Sequence, residues 1–110
     1  MEKRRLDFEI VEMRRIFPEA KLFKDKDKDN SVYWEISYKG HRINVFYNPG
    51  YPFSPAQIYI SPALRTHHHH EDLSLCWQRG GEWNPSWTAV TVVGKAIQFI
   101  SDYKAGRIRE

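Results

Sequence analysis

The stretch SVYWEISYKGHRINVFY (Ser31–Tyr47) decides the fold. In it Val32, Trp34, Ile36 and Tyr38 alternate with Tyr33, Glu35 and Ser37. After Lys39-Gly40 the alternation resumes at Ile43, Val45 and Tyr47. Successive side chains of a strand point to opposite faces, so a period of two marks half-buried strands. A short Gly-containing break between two such runs is a turn, which pairs the strands antiparallel.

Working outward, the period of two reaches back to Lys21, and the run Lys24–Asp29 with Asn30 is too polar to cover a core. It suits an exposed hairpin tip. Before it, Leu6, Ile10, Met13 and Phe17 recur at intervals of four, three and four, one stripe of a helix over Lys3–Phe17. Pro18 ends that helix, because the residue before a proline is disfavoured in the α region. In the other direction Asn48-Pro49-Gly50 breaks the strand, and Gln57–Ser61 reads as a fourth short one. Ser61 to Pro85 shows no sustained period, and a loop of about twenty-five residues is uncommon unless functional. Helix returns with Val93, Ile97 and Ile100 on one ridge, Val92, Ala96, Phe99 and Tyr103 beside it, and Thr88 as the expected N-cap. The expectation is an α+β domain spanning residues 1–110: N-terminal helix, four-stranded antiparallel meander, long loop, C-terminal helix.

Composition agrees with one small domain. The chain has 110 residues, and a chain of this size buries about 60–70% of its unfolded surface. Four Trp, six Tyr and six Phe supply large apolar areas to a thin core. The net charge of +3 is mild, and the Lys24–Asp29 run cancels its own charge, so a nucleic-acid partner is not expected. No apolar run approaches the ~18 residues of a membrane span. Met1-Glu2-Lys3-Arg4-Arg5 never becomes a continuously apolar leader, and a lone cysteine makes no internal disulfide. A reducing cytoplasm is the expected compartment.

Tyr51-Pro52-Phe53-Ser54-Pro55 stiffens the backbone between two strands and carries no chemistry of its own. Its value lies in what stands at a fixed distance: Cys76, the only cysteine, follows Tyr51 by twenty-five residues, with Ser74 and Leu75 before it and Trp83-Asn84-Pro85 after it. This pattern resembles the ubiquitin-conjugating enzymes, whose Tyr-Pro-Phe-x-Pro-Pro, His-Pro-Asn and catalytic Cys have the same Tyr-to-Cys spacing and are followed by Trp-Ser-Pro at a helix start. The order of elements agrees over nearly the whole chain. Thr66, His67 and His68 stand where the family has His-Pro-Asn, Leu73 replaces a usual Gly, and Trp77 a usual Leu. The two helices that close the eukaryotic enzymes have no counterpart before Glu110, and the segment between the second and third strands is reduced to Lys39-Gly40. These abbreviations look like the bacterial members of ubiquitin-like conjugation systems, several of which sit in antiviral defence operons.

The resemblance implies a ubiquitin-conjugating-enzyme-like fold and a thioester carried on Cys76. A free thiol has a pKa of ~8.5, so a small fraction is the attacking thiolate near neutrality. Transthioesterification is nearly isoenergetic and needs positioning, whereas transfer to an amine passes through an oxyanion that donors must stabilise. His68 inherits the position of the family Asn and could donate to that oxyanion or deprotonate the amine; His69 and Trp83 are supporting residues. Arg4, Arg5, Arg14 and Arg15 lie largely off the apolar stripe of the first helix, which docks the activating enzyme in the family. The bland reading of these arginines is a solvated helix face. The implied partners are an activating enzyme charged with a ubiquitin-like modifier and a target protein, a cyclic-oligonucleotide synthase in the antiviral setting. No cofactor is implied.

Two readings compete with the enzyme. A lone cysteine is usually a small buried hydrophobe, and the altered His-Pro-Asn suits a silent ubiquitin-conjugating-enzyme variant that only binds. The run His67–His70 suggests a metal, but neighbours on an extended chain point to opposite sides, and zinc sites favour spaced Cys and His pairs. No functional metal site is expected.

Overall fold

A computed structural model describes residues 1–25, 31–61 and 83–106. Helix α1 spans Lys3–Ile16. Strands β1 (Lys21–Asp25), β2 (Ser31–Tyr38), β3 (His41–Phe46) and β4 (Gln57–Ser61) follow, and helix α2 spans Ala89–Lys104. The strands form one sheet in the order β1-β2-β3-β4, each pair antiparallel, so the α+β meander holds. The hairpin tip begins later than the polar run suggests. Lys24 and Asp25 lie in β1, opposite Val32 and Ser31, while residues 26–30 fall outside the described ones.

The β2–β3 turn places Lys39 at φ 47° and Gly40 at φ 81°, between the paired Tyr38 and His41. Positive φ at both central residues is the type I′ geometry, whose twist matches that of the flanking strands. Gly40 takes such a backbone without a Cβ penalty; Lys39 does not.

The register builds the core. Leu22, Trp34, Val45 and Ile58 form one row across the four strands, and Ile36, Ile43 and Ile60 the next. Ile43, Val45 and Ile58 are fully buried. Each such side chain contributes roughly 1.5–3 kcal/mol when taken from water. Helix α2 covers this face with Ala89, Val92, Val93, Ala96 and Ile100, and α1 adds Met13, with Leu6, Ile10 and Phe17 packed at its margin.

The opposite face of the sheet carries a row of aromatic rings. Phe23 stacks on Tyr33 at 5.4 Å, Tyr33 on Phe46 at 4.5 Å, and Phe46 meets Tyr59 edge-on at 5.5 Å. Cross-strand ring pairs of this kind each contribute about 0.2–1 kcal/mol.

Candidate functional site

The described residues converge on one buried carboxylate. Glu9 sits on the inward side of α1 and is 1% exposed. Its Oε1 accepts from the Tyr47 hydroxyl at 2.9 Å and from the Ala89 backbone N–H at 2.7 Å. Its Oε2 accepts from Arg5 Nε at 2.9 Å and from the Tyr51 hydroxyl at 2.7 Å. The Tyr47 oxygen in turn accepts from Trp34 Nε1 at 2.7 Å. A carboxylate taken out of water is costly unless paired and fully hydrogen-bonded, and here four donors meet two oxygens. Burial pushes both the Tyr47 and Tyr51 hydroxyls far above their ordinary range, with the Glu9 charge adding to the effect, so both remain donors.

The same cluster corrects the expected cap of α2. Thr88 occupies the N-cap position in an extended conformation, but its hydroxyl makes no capping bond. Glu9 takes that role from another helix. A negative charge at the positive end of the helix dipole adds to the direct hydrogen bond.

Arg5 completes the closure. Besides Glu9, its guanidinium donates to the Trp87 carbonyl oxygen, and it lies 5.4 Å from the centre of the Tyr51 ring. The peptide bond between Tyr51 and Pro52 is cis. Trp83 Nε1 donates to the Pro52 carbonyl at 2.7 Å, and the Trp83 ring packs 5.8 Å from Tyr51 and 5.7 Å from Trp87. Asn84 Oδ1 accepts from the Ser86 amide at 2.9 Å, a local turn that feeds the chain into α2. The turn Tyr51-Pro52-Phe53 and the stretch Trp83-Asn84-Pro85 therefore meet at one corner, where Glu9 and Arg5 fasten them.

Of the residues singled out in the sequence, Trp83 lies at this corner, whereas Cys76, His68 and His69 lie outside the described residues, as do His67 and His70. The four arginines do not act alike. Arg4 and Arg14 are exposed, and Arg15 is exposed and pairs with Glu12 at 2.8 Å. Arg5 is turned inward, with its side chain 19% exposed beside Glu9. Phe8 and Val11, 50% and 66% exposed, lie between Arg4 and Arg15 at helical spacing, and Phe53 projects from its turn at 83% exposure.

Sequence reading missed Glu9. The signal was present: Glu9 stands three after Leu6 and four before Met13, a carboxylate on the apolar stripe with a guanidinium one turn earlier. Because Glu9 is buried and saturated with donors, it cannot serve an incoming substrate as a base. Its work is to position. Among the described residues no group of His, Cys, Asp or Glu could hold a metal, and no helix is long and apolar enough to cross a membrane. No protein-family model matches the chain, and no curated protein matches it significantly.

Proposed function

We propose that this protein is a conjugating enzyme of the ubiquitin-conjugating type, carrying a ubiquitin-like modifier as a thioester on Cys76 and passing it to an amine of a target protein. The Cys76 thiolate attacks the thioester carbonyl of the modifier on its activating enzyme. A new C–S bond forms, the old one breaks, and the activating enzyme leaves as a thiolate. An amine then attacks the Cys76 thioester, the C–N bond forms, the amine loses a proton, and Cys76 is released. His68 is assigned to the oxyanion or to that proton. In the bacterial antiviral setting that the resemblance implies, the amine belongs to a cyclic-oligonucleotide synthase.

One observation carries this reading: the 2.7 Å bond from Trp83 Nε1 to the Pro52 carbonyl. It joins the two motifs that carry the resemblance, the first at the family's spacing before Cys76 and the second one residue closer after it than usual, so residues far apart in sequence become neighbours. The helix–meander–helix order also supports a ubiquitin-conjugating-enzyme-like fold. The exposed Arg4, Phe8, Val11 and Arg15 on α1 supply a basic and apolar face for the activating enzyme.

The replacement of His-Pro-Asn by Thr66-His67-His68 favours a second reading, a non-catalytic binding module of the same family. One assay separates the two. With activating enzyme, ATP and modifier, a conjugating enzyme forms an adduct that a thiol reductant removes and that Cys76→Ala lacks. A binding module retains the modifier without any such adduct.

A further inference from the structure

Strand β1 stands at the edge of the sheet, with β2 as its one strand neighbour among the described residues. It pairs with β2 residue for residue, from Lys21↔Glu35 to Asp25↔Ser31, without a bulge and without a proline. Bulges and prolines are devices that keep an exposed edge from pairing with another chain, and β1 uses neither. Its outer edge is a regular template of backbone N–H and C=O groups.

The side chains of Lys-Leu-Phe-Lys-Asp select the strand that fits this template. Lys21, Phe23 and Asp25 share the outer face of the sheet, with opposite charges at equal distances on either side of the ring. Turned about Phe23 into an antiparallel pair, the same sequence sets Lys21 against Asp25 of a second copy and Asp25 against its Lys21. Phe23 then meets Phe23, and on the other face Lys24 lays its methylene stem on Leu22. The ring row points to the same occupant. Tyr33 stacks between Phe23 at 5.4 Å and Phe46 at 4.5 Å, and Phe46 has Tyr33 and Tyr59 on its two sides. Phe23 ends the row with one ring neighbour among the described residues, and is 38% exposed. A strand added beside β1 lies about 4.8 Å away, within the spacing of the row, so a second Phe23 continues the stack.

We propose that β1 is a self-association edge: two copies of this chain pair β1 to β1, antiparallel and centred on Phe23, into one continuous sheet about a two-fold axis. The pairing is independent of thioester chemistry and is equally present in a Cys76→Ala chain. With five residues a side it is a small interface, so a dissociation constant on the order of 100 µM is expected. Sedimentation equilibrium of the full chain from about 10 µM to about 1 mM should show monomer and dimer in exchange. Lys21→Glu opposes two carboxylates at each end of the pair, and Asp25→Lys opposes two ammonium groups. Either should weaken self-association about tenfold or more, because like charges directly opposite one another repel. An equimolar mixture of the two variants opposes unlike charges at both ends and should dimerise as wild type does. Lys21 also faces Glu35 within its own chain, so Lys21→Glu costs some local stability; recovery on mixing separates that cost from loss of the interface. A monomer at every concentration, a dimer that neither substitution weakens, or a mixture that fails to recover would overturn the proposal.

Discussion

Glu9 of α1 caps α2: its Oε1 lies 2.7 Å from the backbone nitrogen of Ala89, eighty residues further along the chain. The first turn of a helix leaves N–H groups without intrahelical partners, and a side chain within one or two residues usually serves them. Here the cap comes from the opposite end of the domain. One carboxylate thereby sets the angle between the helices and, through Tyr47 and Tyr51, the position of both relative to the sheet.

The first prediction follows from that cap. Glu9→Ala leaves Arg5, Tyr47, Tyr51 and Ala89 without their acceptor, and should destabilise the fold by about 3–5 kcal/mol, the usual cost of breaking a buried charged cluster. Thr88→Val removes only a hydroxyl that makes no capping bond and should cost within about 0.5 kcal/mol, below the ~1 kcal/mol of a true cap. Urea unfolding midpoints measure both. A larger loss for Thr88→Val than for Glu9→Ala would show the cap to be local.

Tyr47 and Tyr51 make stability pH-dependent at the alkaline end. Burial raises both hydroxyls above their ordinary value of 10.0, so the folded state keeps two protons that an unfolded chain releases. Stability from these groups is fully present below about pH 10 and falls above it, by up to ~2.7 kcal/mol per pH unit when both contribute. Thermal melts between pH 8 and 11 should show a flat region and then a steep fall. Tyr47→Phe starts less stable but should fall with about half that slope; an unchanged slope would remove Tyr47 from the account.

How much of this was legible in the sequence depends on whether a residue obeys a local rule. Trp34, Ile36, Ile43 and Val45 alternate, and Leu6, Ile10 and Met13 recur at helical spacing, so strands, turn and helices could be read directly. Glu9 breaks the rule that carboxylates face water, and apart from Arg5 on the same helix its partners Tyr47, Tyr51 and Ala89 lie 38, 42 and 80 residues away, which no window of sequence contains. Thr88 misled for the same reason: a good local cap stands unused because a distant one is better placed. The ring row of the outer face joins Phe23, Tyr33, Phe46 and Tyr59 from four strands, and it is the register that brings them together. Tyr51 and Trp83 could be matched to a motif, but that they meet through Pro52 appears only in three dimensions.

The arginines of α1 require a divided experiment. Reversing Arg5 would set a new carboxylate against Glu9 and unfold the corner, so slow loading of such a variant says nothing about docking. Arg4, Arg14 and Arg15 are exposed, and their reversal to Glu should leave the melting temperature nearly unchanged. If this face docks the activating enzyme, the triple variant loads Cys76 more slowly and with weaker dependence on salt, since exposed charges act over about 8–10 Å. Equal loading rates at low salt would leave these three arginines as a solvated surface.

The last prediction concerns Cys76 and what its neighbours contribute. Charging needs a thiolate and a donor thioester brought together, and it makes no demand on an oxyanion site beyond what two thiols of similar basicity require. Transfer to an amine demands more, because nitrogen must lose a proton and the tetrahedral oxygen must find donors. Wild type should therefore charge to a reductant-sensitive adduct and discharge to free lysine in single turnover. Cys76→Ser should form either nothing or a reductant-resistant oxyester, because its oxygen is both a poorer nucleophile and a poorer leaving group. His68→Ala should charge at the wild-type rate but discharge about 10²-fold more slowly, the lower end of what one general base or oxyanion donor contributes. His69→Ala, altered one residue away, tests whether the run acts through one ring or several: discharge at the wild-type rate assigns the role to His68 alone, and an equal loss spreads it over both. If His68→Ala and the double variant both discharge like wild type, the histidines have no part in the transfer, and the amine is served by another group. If Cys76→Ala gives the same adduct as wild type, the thioester itself is excluded.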